Sequence, residues 1–171
     1  MSIRVRPGTV ADAPDIARVH WESHRTTYTE PGLVRRDVVE AWTMRDRVMA
    51  WTTHLAIAEG VFPPPEGFRR MSIHVAEVDG RVVGWANTSD GRDADAPRAI
   101  ELEGLYTLAE VHGTGVGPAL LDAAIGDRPA YLWALEVNPR AHAFYRKHGF
   151  ELDGATKWDD RWQVAEVRFV R

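Results

Sequence analysis

Three glycines at alternate positions, Gly113, Gly115 and Gly117, lie between a predicted strand and a predicted helix. The first N–H groups of a helix have no partner within the helix, and the helix dipole adds partial positive charge there. Glycines also let the backbone approach an anion closely and tolerate positive φ. Residues 112–117 therefore predict an anion-binding turn. A flexible glycine loop without a ligand is the alternative.

The spacing of these glycines excludes two common phosphate sites. G-x-G-x-G differs from the G-x-G-x-x-G of dinucleotide folds, and the turn follows a predicted hairpin instead of opening a βαβ unit. No Lys-Ser/Thr pair follows the turn, so it is not a nucleoside-triphosphate P-loop. A nicotinamide-binding oxidoreductase is excluded on the same spacing.

Two carboxylates are candidates for a general base. Glu101 and Glu103 are two residues apart on one predicted strand, so their side chains should emerge on the same face. Leu105 and Thr107 would continue that face unless a bulge at Gly104 intervenes, and such a bulge would split the pair. A solvated strand face is the alternative interpretation of either glutamate alone.

The sequence predicts no metal site. His20 and His24 are four residues apart on a predicted helix, but the glutamate of a zincin motif and a third ligand are absent. The chain has no cysteine, which excludes disulfides, a thiolate metal site and a cysteinyl acyl-enzyme.

Length and composition predict one globular domain over residues 1–171. The chain is 44% hydrophobic and 27% charged, which are ordinary globular values. Its net charge of -4 is scattered along the chain, which argues against nucleic acid as a partner. No apolar run approaches the roughly 18 residues that span a bilayer, and the N-terminus lacks the apolar stretch of a signal peptide. We therefore expect a cytoplasmic protein with no membrane or nucleic-acid partner.

The elements that must position these residues follow from hydrophobic periodicity and turn signals. A first helix follows an N-cap at Thr9 with Asp12 as its acidic partner, and Asp79-Gly80 indicates a hairpin. The proline-rich segment 60–67 is predicted to be a loop. Strands are predicted at about 3–6, 72–78, 81–87, 99–108, 131–137, 151–158 and 163–170, and further helices at about 35–51, 117–125 and 141–148. This order predicts a mixed α/β layer with one strand-helix-strand unit in its middle.

Two segments carry a resemblance to a known family. Residues 105–121, which contain the glycine turn, resemble the acetyl-CoA motif of the GNAT family of N-acetyltransferases. Residues 138–150 resemble that family's N-x-x-A-x-x-F-Y-x-x-x-G-F signature. The element order extends the resemblance over nearly the whole chain. It implies a single-domain α/β fold of GNAT type, whose central twisted sheet is mixed and mostly antiparallel, with about seven strands and about four helices on both faces.

The resemblance also implies a set of residues that bind acetyl-CoA. Backbone groups of Leu105, Tyr106 and Thr107 would pair with the pantetheine arm. Asn138 would contact the cofactor where the two central strands splay apart, and Tyr145 would lie near the thioester sulfur. The turn residues implied to hold the pyrophosphate are His112, Gly113, Thr114, Gly115, Val116 and Gly117. The family usually has Arg or Gln where this chain has His112.

Transfer of an acetyl group from a thioester to an amine needs a base, an oxyanion donor and an acid. One of Glu101 and Glu103 is the expected base, directly or through water, and a backbone N–H at or near Thr107 is the implied oxyanion donor. Tyr145 is the expected acid, because a phenol has a pKa of about 10 against about 8.5 for a thiol. Ring packing beside Phe144 is the alternative role of Tyr145.

The acceptor pocket is implied to lie against the first two helices. This draws attention to Trp21, His24 and Tyr28, and Trp85 lies on a central hairpin strand. Aromatic rings near carboxylates suit a cationic amine, although core packing is the alternative for each ring.

The sequence thus predicts an acetyl-CoA-dependent N-acetyltransferase that acts on a small primary amine by direct transfer in a ternary complex, with no metal. The alternatives are a protein or peptide acetyltransferase acting on an N-terminus or lysine, and a non-catalytic acyl-CoA-binding sensor. The C-terminal strand from Gln163 is expected to be able to pair across a homodimer.

Overall fold

The computed structural model describes residues 2–66, 69 and 71–171. The strands are β1 (Ile3–Pro7), β2 (Met71–Val78), β3 (Arg81–Asp90), β4 (Ile100–Thr107), β5 (Tyr131–Leu135), β6 (Glu151–Asp159) and β7 (Val164–Val170). The helices are α1 (Ala13–His24), α2 (Arg36–Glu40), α3 (Met44–Ala58), α4 (Val116–Ile125) and α5 (Pro139–Lys147).

All seven strands form one sheet in the order β1-β2-β3-β4-β5-β7-β6. Neighbouring strands are antiparallel except β4 and β5, which pair in parallel at Glu101 and Tyr131. A parallel pair needs a crossover connection, and α4 supplies it. The predicted α/β fold with a mixed, mostly antiparallel sheet of about seven strands is confirmed.

Helices cover both faces of this sheet. The rings of Trp51 on α3 and Trp85 on β3 pack with centroids 4.5 Å apart. A Cβ on the preceding residue, Gly84, would lie 2.9 Å from Cδ1 of Leu120 on α4. Successive strand residues point to opposite faces, so α3 and α4 lie on opposite sides. We refer to these sides as the α3 face and the α4 face.

The second predicted helix, at about 35–51, is two helices, so the described residues form five α-helices instead of about four. Thr43 begins α3 as its N-cap, with its Oγ1 accepting a hydrogen bond from the N–H of Asp46 at 3.2 Å. The buried guanidinium of Arg47 donates to the carbonyls of Val39 and Trp42 and holds the corner between α2 and α3.

The first helix begins as predicted. The N–H of Thr9 donates to Asp12 at 2.8 Å, and Asp12 also pairs with Arg6 on β1 at 2.7 Å. A short 3-10 turn, Val10–Asp12, leads into α1, and a π-helical turn, Arg25–Thr29, follows it.

A β-bulge interrupts β4 beside Gly104, the residue at which the sequence indicated that a bulge could lie. Asn87 lies opposite Gly104 but Thr88 lies opposite Leu102, so Glu103 is the extra residue. The expectation that a bulge would split the two glutamates is wrong. Glu103 bonds to Ser89, which lies opposite Glu101, so both carboxylates stay on one side.

The bulge instead moves the end of β4. Thr107 lies opposite Gly84 and therefore faces α4, whereas Tyr106 lies opposite Trp85 on the α3 face. Leu105 shares the α4 side with Thr107, because side chains alternate along the strand.

The C-terminal strand, β7, lies inside the sheet. It pairs with β5 on one side and with β6 on the other, so neither edge is open. The expected pairing of the strand from Gln163 across a dimer is therefore wrong, and β1 and β6 are the edge strands of the described sheet. The predicted loop is irregular over 60–66, and Gly67 lies outside the described residues. No helix in residues 2–66, 69 and 71–171 is both long and apolar enough to cross a bilayer.

Candidate functional site

A cavity of about 770 Å³ lies beside the one position where β4 and β5 pair. Beyond Glu101 and Tyr131 no further register pair joins the two strands in the described chain. Residues 105–107 of β4 and Ala134 and Leu135 of β5 line the cavity. Trp85 on the α3 face and Gly117 at the start of α4 also line it, so the cavity passes through the sheet.

The backbone of the glycine turn lines one end of this cavity. Gly113 and Gly115 have φ of +76° and +98°, a region that costs a residue with a Cβ about 1–2 kcal/mol. The N–H groups of Gly113, Gly115, Val116 and Gly117 have no backbone hydrogen-bond partner among the described residues. Four open donors at the positive end of α4 form an arrangement suited to a phosphate.

The side chains of two turn residues do not face the cavity, and the N–H of Thr114 donates to the carbonyl of Val111 at 3.3 Å. The hydroxyl of Thr114 donates to the carbonyl of Val111 at 2.7 Å, and the side chain of Val116 is fully buried. His112, Gly113, Gly115 and Gly117 are the turn residues that line the cavity.

His112 interacts with a cation that the sequence analysis did not single out. Nη1 of Arg140 donates to Nδ1 of His112 at 2.8 Å, and Nη2 donates to Oγ1 of Thr27 at 2.7 Å. Burial and the Arg140 charge lower the pKa of His112, so its ring is neutral near pH 7. The charge beside the turn therefore belongs to Arg140. The sequence feature that could have identified Arg140 is its place two residues after Asn138, at the start of α5.

Asn138 joins α5 to a group of tyrosines. Its Oδ1 caps the helix by accepting from the N–H of Ala141 at 3.1 Å, and its Nδ2 donates to the hydroxyl of Tyr28 at 3.5 Å. Tyr28 and Tyr106 are close enough to interact electrostatically. Asn138 and both tyrosines line the cavity.

Tyr145 lines the same cavity and is 8% exposed. Burial, and secondarily the nearby Tyr28, raise the pKa of Tyr145 above that of an ordinary phenol. Its hydroxyl is therefore protonated throughout the neutral range. Its ring packs against Phe144 and Phe150, with centroids 5.3 and 5.7 Å away. Tyr145 thus combines ring packing with a place in the cavity wall.

The two glutamates have different surroundings. Glu103 lines the cavity and accepts hydrogen bonds from Nδ2 of Asn87 at 2.7 Å and Oγ of Ser89 at 2.8 Å. Glu101 is fully buried and pairs with Arg92, with Nη2 to Oε1 at 2.6 Å. Glu103 therefore has neutral donors as partners, whereas Glu101 has a cation and lies outside the cavity lining.

The structure places three of the four residues predicted for the acceptor pocket in the cavity wall and one outside it. His24, Tyr28 and Trp85 line the cavity. Trp21 does not line it, and the guanidinium of Arg25 lies 5.7 Å from its ring centroid. Further lining residues that the sequence analysis did not identify include Trp42, Trp51, Trp133, Lys157, Arg161 and Trp162.

No three histidine, aspartate or glutamate side chains are grouped to hold a metal ion within the described part of the chain. Polar groups that line the cavity include backbone N–H donors, tyrosine hydroxyls, guanidinium groups and the carboxylates of Glu103, Asp159 and Glu166.

Comparison with known proteins identifies the family that this chain resembles. The acetyltransferase (GNAT) domain model matches residues 69–152. A probable N-acetyltransferase of Mycobacterium tuberculosis is 28% identical over 160 residues, covering 91% of this chain and 83% of that protein. The predicted resemblance to the GNAT family is confirmed in sequence, and the chain is an acyltransferase.

Solved structures share the fold. The PaiA N-acetyltransferase of Thermoplasma acidophilum, crystallised in complex with coenzyme A, superposes with a TM-score of 0.72 at 19% identity, over 98% of both chains. A Corynebacterium glutamicum structure described as histone acetyltransferase HPA2 and related acetyltransferase gives a TM-score of 0.68 at 26% identity. It covers 99% of this chain and 96% of its own.

Proposed function

We propose that this chain, as a single domain over residues 1–171, transfers the acetyl group of acetyl-CoA to a primary amine of a small molecule. Transfer is direct, within a ternary complex. The observation that carries the proposal is that the glycine turn, Tyr145 and Glu103 all line one cavity. A phosphate site, a proton donor and a carboxylate are thereby available to one pair of substrates.

Acetyl-CoA fits the end of the cavity formed by the turn. The open N–H groups of Gly113, Gly115, Val116 and Gly117 would hold the pyrophosphate, with the guanidinium of Arg140 adding a positive charge nearby. Residues 105–107 would bind the pantetheine arm, because no strand pairs with them on the β5 side in the described chain. The coenzyme A in the T. acidophilum relative supports this ligand.

Acetyl-CoA supplies the thioester whose acetyl group moves to the amine. Glu103 accepts the proton that the substrate ammonium loses, directly or through a water. A backbone N–H at or near Thr107 stabilises the negative charge on the acetyl oxygen. Tyr145 donates its proton to the departing sulfur, a role that suits a hydroxyl kept protonated by burial.

Glu101 has a positioning role in this scheme. Its carboxylate is occupied by Arg92 and by the hydroxyl of Tyr131 at 3.0 Å, and it does not line the cavity. It holds Arg92 in the cavity wall and leaves proton transfer to Glu103.

The experiment is a coupled assay for coenzyme A release, with acetyl-CoA and a panel of small primary amines, peptide N-termini and lysine peptides. We expect release of the thiol together with an acetylated small amine, identified by mass spectrometry. Acetyl-CoA should also raise the melting temperature of the protein. If acetyl-CoA binds but no amine or peptide increases thiol release, the chain is an acyl-CoA-binding sensor and the catalytic proposal is wrong.

A further inference from the structure

Aromatic rings form a continuous surface in the cavity. The imidazole of His20 lies 5.1 Å from the ring of Trp85 and 5.4 Å from those of Trp42 and Tyr106, measured between centroids. Next to it, His24 lies 4.8 Å from the ring of Trp162. All of these rings line the cavity. With Trp51 and Trp133, five of the seven tryptophans of the chain line it. We call this surface the ring wall: His20, His24, Trp42, Trp85, Tyr106 and Trp162.

The ring wall carries no charge of its own near neutral pH. Burial lowers the pKa of His20 to about 3 and that of His24 well below its ordinary value. Nδ1 of His20 accepts a hydrogen bond from the indole N–H of Trp51 at 3.3 Å, as a neutral imidazole can. A neutral aromatic surface attracts a cation to its ring faces, and Trp42 already holds the guanidinium groups of Arg47 and Arg161 in this way.

Three polar atoms of the ring wall have no partner. Both ring nitrogens of His24 and the indole N–H of Trp85 are buried without a hydrogen bond in the described chain. His24 is 1% exposed and Trp85 is 3% exposed. Nearly all buried polar groups in proteins are paired, so these three atoms make the ring wall an exception within the described chain.

Glu103 supplies a carboxylate for an ammonium group in the same cavity. Its partners, Asn87 and Ser89, are neutral donors, and no ion pair to it is present among residues 2–66, 69 and 71–171. The cations Arg92 and Lys157 also line the cavity, but each is paired with a glutamate.

We propose that the acceptor is a primary amine attached to an aromatic ring, with the ring packed against the ring wall and the ammonium group at Glu103. This proposal rests on the acetyltransferase function proposed above and names its acceptor class. A polyamine fits less well, because it has no ring to pack against the ring wall. An aliphatic amine would bury area but form no ring pairs.

Two substrates that differ only in aromaticity test the proposal. 2-Phenylethylamine and 2-cyclohexylethylamine have the same ammonium group and chain length, and the cyclohexyl compound is the more hydrophobic. Burial alone would favour the cyclohexyl compound. Ring pairs should instead give 2-phenylethylamine a kcat/KM higher by about 2- to 13-fold per ring pair. Equal values, or a preference for the cyclohexyl amine, would overturn the proposal and leave the acetyltransferase function standing.

A pair of tryptophan variants locates the effect. Trp162→Leu removes a half-buried ring of the ring wall and keeps an apolar side chain. Trp158→Leu is the control, because Trp158 is 58% exposed and does not line the cavity. The preference for 2-phenylethylamine should fall in the first variant and persist in the second. Trp42→Leu carries the same expectation if Trp162→Leu does not fold.

A binding measurement covers the case in which no amine is acetylated. Both amines are titrated into the protein loaded with coenzyme A, with tryptophan fluorescence as the readout, since five tryptophans line the cavity. Tighter binding of 2-phenylethylamine, weakened by Trp162→Leu, would support the proposed ligand class even though the catalytic proposal had failed. Equal or weaker binding would overturn it.

Discussion

The indole N–H of Trp51 on α3 donates a hydrogen bond to Nδ1 of His20 on α1, 3.3 Å away. Because Nδ1 accepts, the proton of the neutral imidazole is on Nε2. The bond connects the two helices beside the cavity, and it is lost when Nδ1 is protonated. The charge state of His20 is thus tied to the packing of α1 on α3.

Acidification should destabilise the protein through His20 and His24. Burial lowers the pKa of both, so below pH 6.5 the unfolded chain binds protons that the folded chain does not. His20 should then lower the free energy of unfolding by about 2 kcal/mol between pH 7 and pH 5, and His24 should act in the same direction. Urea unfolding at the two pH values measures this, and His20→Gln should reduce the difference. An unchanged difference in that variant would contradict the assignment to His20.

Gly115→Ala should weaken acetyl-CoA binding by at least about tenfold, because φ at Gly115 is +98° and an alanine there shifts the turn backbone. Gly154→Ala is a matched control. Its φ is +89°, an added Cβ meets no atom within 4 Å, and it does not line the cavity. Both variants should lose about 1–2 kcal/mol of stability. A similar loss of acetyl-CoA affinity in the control would argue against a specific role of the turn.

Tyr145→Phe should lower kcat by on the order of 10²-fold, the usual contribution of a general acid. The ring contacts to Phe144 and Phe150 are kept, so the KM for acetyl-CoA and the melting temperature should change little. Steady-state kinetics with a saturating amine separates the two parameters. A normal kcat would remove the proton-donor role.

The two glutamates should give opposite results when each is changed to glutamine. Glu103→Gln should lower kcat by on the order of 10²-fold with little loss of stability, since Asn87 and Ser89 are neutral partners. Glu101→Gln should cost about 1–3 kcal/mol of stability by leaving Arg92 without its buried counter-ion, with a smaller effect on kcat. Chemical denaturation and initial rates on both variants are required. If the two patterns are exchanged, Glu101 is the base.

Local signals in the sequence predict much of this fold. The Asp79-Gly80 hairpin, the glycine turn before α4 and the Asn138-Pro139 start of α5 each depend on residues close together in the chain, and the structure has all three. The break between α2 and α3 was also readable, because Thr43 and Asp46 form an N-cap pair. Continuous apolar spacing over 35–51 obscured it.

Long-range contacts could not be predicted in the same way. Arg140 reaches His112 and Thr27, which are 28 and 113 positions away in the sequence. The ring wall likewise combines residues from α1, the corner between α2 and α3, β3, β4 and the turn after β6, and no single periodicity connects these elements. The different surroundings of Glu101 and Glu103 depend on a bulge and on Arg92, which lies in a loop without regular structure.

The single register position that joins β4 to β5 divides the sheet into two half-sheets, β1–β4 and β5–β7. A ligand between these strands would contact both half-sheets and bridge β4 and β5 where they do not pair. Its binding energy then contributes to the cohesion of the whole domain, and amide hydrogens of β5–β7 become harder to exchange when the ligand is bound. The gap is in this sense a joint, and a ligand that occupies it would make the two half-sheets move as one unit.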